Sequence, residues 1–321
     1  DSPMSIQQEK ALFSRLKLPL IVAPMFLVSS PELVIASSKS GVIGSLPAAN
    51  ARTVETLNEW MAQVHGELNS QSLPWLFNMI VHSSYDRFDA EIELVRKYQP
   101  AIVSTALGSP KRVMEVVKSY GGKVYADVIT PGMAKKSADA GVDGLILVTQ
   151  GAGGHTGRYN PLAFIAEVRQ FWDGPLGIAG CISHGSDVAA MLVAGADFVA
   201  SGTRYIAATE SFASDEYKQM LVDTDIEGVV ETKAVSGVLA NWMQASLDKA
   251  GIDPDASNDA RIDFSGNIST ANKAWKDVWS AGQGVGSTTA IESATGITER
   301  FYNEFTDALK RSQAIAARYL A

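Results

Sequence analysis

Gly144-Leu145-Ile146-Leu147-Val148-Thr149-Gln150-Gly151-Ala152-Gly153-Gly154-His155-Thr156-Gly157 packs the most structural information into the fewest residues. Leu145–Val148 is an apolar run of strand length. The glycines that follow, at 151, 153, 154 and 157, favour neither helix nor strand and read as a loop. Pro161 then opens a stretch of helical pattern, because proline suits the first turn of a helix. A buried strand, a glycine-rich loop and a helix make one β/α unit.

The same rhythm recurs in both directions. Strand-like runs are expected at Leu20–Ala23, Val42–Leu46, Trp75–Ile80, Ile102–Ala106, Lys123–Val128, Gly144–Val148, Leu176–Ala179 and Asp197–Ala200. Helical stretches lie between them at Pro31–Lys39, Thr53–His65, Arg87–Tyr98, Lys111–Ser119, Met133–Ala140, Pro161–Phe171 and Gly185–Ala194. Near-continuous apolar strands alternating with helices predict a parallel sheet buried on both faces, and eight repeats predict its closure. The competing architecture is an open doubly wound sheet. No GxGxxG turn stands near the start of the chain, and the glycine-rich turns come late, after the sixth to eighth strands, where barrels hold phosphate. The expected fold is therefore α/β, a (β/α)8 TIM barrel.

After about Asp223 the rhythm changes. Asp225–Gly251 reads as helix and connection, residues 252–270 as polar loop, and Ile297–Leu320 as a last helix packing Phe301, Phe305, Leu309 and Ile315 on the barrel. The expected division is a barrel at 1–224, a smaller, mainly helical capping region over its mouth at 225–296, and a C-terminal helix at 297–321.

Composition excludes several classes. The 321 residues are 46% hydrophobic, with six Trp, eleven Phe and nine Tyr, which suits a packed core and not a disordered chain. The longest apolar runs, such as Leu18–Pro24, fall far short of the roughly 20 residues that span a bilayer. No cationic segment with an apolar core stands at the N-terminus, so a cytoplasmic location is expected. A formal charge of −8 argues against nucleic acid as a partner. The lone cysteine, Cys181, excludes an intrachain disulfide and a cysteine-rich metal site.

Barrel chemistry sits at the C-terminal strand ends. In chain order these supply Ala23-Pro24-Met25, Asn78, Asp127, Gln150 to Gly157, Ala179-Gly180-Cys181 and Ser201-Gly202-Thr203-Arg204. Gly180 lets the backbone approach an anion, while Ser201, Gly202 and Thr203 offer N–H and hydroxyl donors, so the last two groups suit a phosphate. His155 lies among glycines that let the loop close on a planar ligand, where imidazole serves as a base or hydrogen-bond donor near neutral pH. His65 reads as a helix-surface residue, His82 as a loop residue and His184 as the start of a helix. Cys181 reads as a small packing residue, and Tyr159, Tyr205, Trp242 and Met243 read more readily as core than as pocket lining. His155, Cys181 and Asp127 are too few for a metal centre, and no GxSxG elbow marks a hydrolase.

Taken together, Gln150 to Gly157, Gly180 and Gly202-Thr203-Arg204 resemble the nitronate monooxygenase family, also called 2-nitropropane dioxygenases. Ala23-Pro24-Met25, Asn78 and Ser280-Ala281-Gly282-Gln283-Gly284 extend the resemblance over most of the chain. It implies a barrel holding FMN. Ala23 and Met25 would contact the flavin ring through the main chain, with Pro24 between them; Asn78 would hydrogen-bond it, and Gln150, Gly153 and Gly154 would border it. Gly180, Cys181, Gly202 and Thr203 would hold the phosphate, with Ala179, Ser201 and Gln283 also counted as cofactor-binding. His155 matches the active-site histidine. Two departures stand out: Cys181 replaces a second glycine, and Asp127 receives no family role. The implied reaction oxidises an alkyl nitronate with O2 to a carbonyl compound and nitrite. The alternative is an FMN-dependent NAD(P)H reductase of quinones or enoyl thioesters, and a phosphate-ligand binding protein is the third. No metal is expected, and a homodimer is compatible with the sequence, which does not fix the oligomeric state.

Overall fold

The computed structural model describes residues 12–13, 15–258 and 276–321. Eight parallel strands form one sheet: β1 (Leu20–Val22), β2 (Gly44–Pro47), β3 (Trp75–Ile80), β4 (Ile102–Ala106), β5 (Lys123–Val128), β6 (Gly144–Val148), β8 (Leu176–Ala179) and β9 (Phe198–Ser201). Each pairs with its neighbour in chain order from β2 to β9 (β6 with β8), and β9 returns to β1. The ring closes where Ile21 bridges Ile43, with Val22 N–H donating to Ile43 O and Ile43 N–H to Leu20 O. The expected TIM barrel is the observed fold, and its strands fall within two residues of the expected bounds.

Local chemistry sets the helix starts. Ser30, Thr53, Thr130 and Asn160 each accept a backbone N–H from the first turn of the helix they precede, satisfying donors the helix cannot. Thr130 thereby starts its helix at Pro131, two residues before the expected Met133. Gly41 and Gly141 end their helices in the left-handed conformation.

Period-two alternation sorts the strand residues. Ile21, Ile43, Leu76, Ile102, Tyr125, Ile146 and Phe198 point inward and form the barrel interior, with Phe13 stacked on Phe198 at 4.3 Å. Outward residues such as Phe77, Val103, Val124 and Leu147 pack against the helices. Two positions further along, the inward layer changes character: Ala23, Ser45, Asn78, Ser104, Asp127, Ala179 and Ala200 are small or polar, and Val148 is smaller than the Ile146 below it. Large side chains therefore fill the barrel below and leave room above.

The C-terminal part departs from expectation. Besides the helix Gln244–Ala250, it contains β10 (Val229–Thr232) and β11 (Ala240–Met243), an antiparallel pair where helix and connection were expected. β11 also pairs with β7 (Gly154–His155), in the glycine-rich loop itself, matching Ala240 with His155 and Asn241 with Gly154. Residues 259–275 of the expected capping region lie outside the described residues. The last helix, Ala294–Tyr319, packs against the helices Pro31–Ser40 and Gly185–Ala194. It buries Phe301 and Phe305 but leaves Leu309 and Ile315 40% and 47% exposed. Those two do not pack on the barrel as expected: a helix of 26 residues is about 39 Å long and runs past it. No described helix is long and apolar enough to cross a membrane.

Glu304 fastens this helix to the strand ends. Its carboxylate accepts from the buried Arg204 guanidinium at 2.7 and 3.3 Å and from Gly185 N–H at 3.1 Å, and Arg204 also stacks on Phe301. Glu304→Ala should cost about 3 kcal/mol, the low end for stranding a buried cation because Glu304 itself is partly exposed, and Glu304→Gln should cost less. Urea midpoints test this, and equal midpoints for Glu304→Ala and the unchanged protein would exclude it.

Candidate active site

Above the small inward layer the barrel opens into a cavity of about 2110 Å³. Ala23, Pro24, Met25, Asn78, Asp127, Gly153, Gly154, His155, Ala179, Gly180, Cys181, Gly202 and Thr203 all line it, so most of the expected site residues share one space. Gln150, Ser201 and Gln283 do not. Gln150 and Gln283 are exposed; the Cys181 thiol lies 3.5 Å from Gln150 O and 3.9 Å from Gln283 Oε1. The Ser201 hydroxyl is buried and donates to Ile182 O at 2.5 Å, so it ties the eighth strand to the preceding loop instead of facing the cavity.

The Met25 loop is held by a residue the sequence reading passed over. Asn50 donates to Met25 O and Ser29 O at 3.0 and 2.8 Å and accepts from Leu27 N–H at 2.8 Å. Arg87 anchors the Asn50 turn by donating to Ala51 O at 2.6 Å, and it pairs with the buried Glu91. Burial pushes the Glu91 carboxyl up to about 7.

The glycine-rich loop is similarly braced. Thr156 Oγ1 accepts from Gly151 N–H and donates to Thr149 O, and Asn241 from β11 donates to Ala152 O at 2.8 Å. Gly282 N–H donates to Thr203 Oγ1 and Gln283 N–H to Gly151 O, so the C-terminal glycine stretch is wedged between this loop and the end of β9. A Cβ on Gly153 would come within 2.8 Å of Gly282 N, so the backbones meet only because both residues lack a side chain. The loop presents His155 to the cavity, and partial burial lowers its pKa from the usual imidazole range. The ring is therefore neutral near pH 7.

At the paired ends of β8 and β9, Gly180 adopts φ +124°, with Thr149 Oγ1 only 2.4 Å from where a Cβ would sit. Gly180 N–H is taken up by the pairing of β8 with β9, whereas the N–H groups of Cys181 and Gly202 have no backbone acceptor among the described residues. Unpaired amides at the mouth of a barrel form a concavity suited to an anion. Burial raises the Cys181 thiol pKa, so the neutral thiol adds no negative charge there.

The remaining residues follow simple rules. His184 caps Gly185–Ala194, with Asp187 accepting its N–H in return. His82 bonds Ser84 and lies outside the cavity lining. Tyr205, Trp242 and Met243 are buried core, as read, whereas Tyr159 is 43% exposed. No group of three metal-ligating side chains occurs among the described residues.

A closed parallel barrel with a strand-end cavity, a glycine turn with open backbone amides and a loop histidine defines an enzyme-type site. The family described as nitronate monooxygenase matches residues 69–304. A nitronate monooxygenase of Paraburkholderia phytofirmans is 30% identical over 278 residues, covering 74% of this chain and 76% of that protein. A hydroxy-methyl-oxo-octahydroindene-carboxyl-CoA dehydrogenase of Rhodococcus jostii is 27% identical, covering 73% of this chain and 65% of that one. The structure of a nitroalkane oxidase from Streptomyces ansochromogenes superposes with TM-score 0.80 at 25% identity, covering 94% of this chain and 99% of that one. This chain belongs to the nitronate monooxygenase family and is an oxidoreductase.

Asn50→Ala should unfasten the Met25 loop, costing about 2–3 kcal/mol for a buried side chain that makes three hydrogen bonds. Hydrogen exchange at Leu27 should accelerate with it. Unchanged exchange at that amide would show that Asn50 does not hold the loop.

Proposed function

We propose that the protein is an FMN-dependent nitronate monooxygenase that uses O2 to convert alkyl nitronates into carbonyl compounds and nitrite. The observation that carries this is the pairing of unengaged amides at Cys181 and Gly202, beside Gly180 with no side chain, with a histidine over one cavity. The residues fit the cofactor: the amides suit its phosphate, and the Ala23-Pro24-Met25 wall and Asn78 border the space for its ring. FMN bound there would accept electrons from the substrate and pass them to O2.

The chain supplies orientation and proton handling. The neutral His155 imidazole removes the α-proton of a neutral nitroalkane, and it hydrogen-bonds the oxygens of a preformed nitronate. In this reading residues 1–224 hold the cofactor, 225–296 shape the substrate space and 297–321 brace the barrel. Asn241, on β11, links the second part to the His155 loop.

One observation favours a second reading, an NAD(P)H-dependent reductase of quinones or enoyl thioesters. The cavity exceeds the roughly 300–1,000 Å³ of ordinary ligand pockets, and its lip carries the exposed Leu107, Ile129 and Met133 beside Lys111 and Lys136. An apolar lip with cations suits a long substrate bearing phosphate, as in an acyl-CoA.

Anaerobic stopped-flow absorbance separates the two. Bleaching of the flavin by ethyl nitronate and not by NADH is expected, the reverse would establish the reductase, and a colourless protein would remove the flavin assignment. His155→Ala should lose at least a hundredfold in turnover of neutral nitroethane and far less with ethyl nitronate; equal losses would exclude the base. Because the base acts when neutral, nitroethane turnover should be retained at neutral pH and fall as pH drops through the lowered pKa of His155, below 6.5.

A further inference from the structure

Asp127 stands apart in the inward layer that floors the cavity. Ala23, Asn78, Ser104, Val148, Ala179 and Ala200, which line the cavity with it, and Ser45 on β2 are the other members at this level, all uncharged. Asn78 and Ser104 satisfy each other, the amide donating to the hydroxyl at 2.9 Å. No hydrogen bond or ion pair joins the Asp127 carboxyl to a described residue, and burial alone perturbs it; the nearest ion pair, Lys135 with Asp139, lies on the helix after β5. A carboxyl without a partner in a cavity wall carries a desolvation penalty that packing does not explain.

Its place in the ring indicates what it faces. β5 is four strands from β1 in either direction around the eight-strand barrel. The proposed cofactor space runs from the β1 wall to the β8 and β9 turns, so β5 forms the opposite wall. β5 also pairs with β6, whose loop carries His155, with Asp127 matched to Ile146. A planar group lying on the β1 wall turns its free face toward Asp127 and His155 together.

We propose that Asp127 is a specificity-determining residue that contacts the substrate, donating a hydrogen bond to an oxygen of a bound nitro or nitronate group from the wall opposite β1. Burial pushes its pKa up to about 7, so the acid form is populated at neutral pH and acts as a donor, as buried carboxylic acids do in other sites. Ionisation would replace that donor with a charge that repels a nitronate. The charged groups on the flanking elements are Lys111 after β4, Lys135, Lys136 and Asp139 on the helix after β5, and His155 after β6. Lys135 already pairs with Asp139 at 2.7 Å. Burial lowers the pKa of His155 from the usual imidazole range, and the Asp127→Asn variant below separates any titration of His155 from that of Asp127.

The inference rests on the flavin reading above, and its test is separable from it. Butyrate, a planar carboxylate with the charge and shape of an alkyl nitronate that a flavin does not oxidise, is titrated calorimetrically into the flavin-loaded protein at pH 6 and pH 8. For one acid of pKa about 7 that must be protonated, affinity should fall about tenfold across that interval. Asp127→Asn, which donates at every pH, should bind butyrate at pH 8 about as tightly as the unchanged protein does at pH 6. Asp127→Ala should bind weakly at both. A pH slope that survives in Asp127→Asn, or unaltered binding in Asp127→Ala, overturns the proposal. So does a variant that loses flavin affinity while its butyrate affinity is unchanged. Failure of ethyl nitronate to bleach the flavin would instead remove the nitronate reading, whatever butyrate does.

Discussion

Closure of the parallel sheet through β1 is the constraint on which the other features depend. β1 has only three residues, yet it pairs with β9 on one side and reaches β2 through Ile21 and Ile43 on the other. Once the ring is shut, every strand ends at the same mouth, and one alternation rule governs all eight inner faces. Ile21, Leu76, Tyr125, Ile146 and Phe198 then fill the lower interior, and the positions above them form a floor. An open sheet built from the same strands would spread those positions along a line and gather no cavity.

Much of this was legible in the sequence because strands buried on both faces must be apolar throughout, and helices announce their starts. Gly144–Val148 and Trp75–Ile80 could be read to the residue for that reason. The strand-end glycines were legible as well, since a close approach between backbones, as between Gly153 and Gly282, excludes a side chain. β10 and β11 were not. Val229–Thr232 and Ala240–Met243 are four residues each, too short for their pattern to stand out, and the second partner of β11 lies far back in the chain, with Ala240 matched to His155 and Asn241 to Gly154.

Three of the expected site residues stand outside the cavity lining for a shared reason. Ser201 and Gln283 lie next to residues that do line the cavity, and Gln150 lies two residues from Val148 and Ala152, which do, but a strand end changes direction at each step, so nearness in sequence does not carry over to orientation. Ser201 turns its hydroxyl to Ile182 O, and its neighbour Gly202 faces the cavity. Asn50 was invisible for the opposite reason: its work is done on the Met25 loop, 25 residues away, and nothing around it in the chain signals a partner. Leu309 and Ile315 continue the apolar stripe of the last helix past the end of the surface it packs on.

Because Gly154 and His155 are simultaneously part of the barrel loop and the third strand of the small sheet, the loop histidine and the Val229–Met243 segment are inherited as one unit. Barrel enzymes usually diversify by exchanging independent loops on an indifferent scaffold. Here a graft that replaces the hairpin also re-registers the histidine, whereas a graft at β4 or β5 leaves it in place. Diversification of this chain therefore has two unequal routes: conservative drift of the lip around Leu107, Ile129 and Met133, and abrupt change through the hairpin.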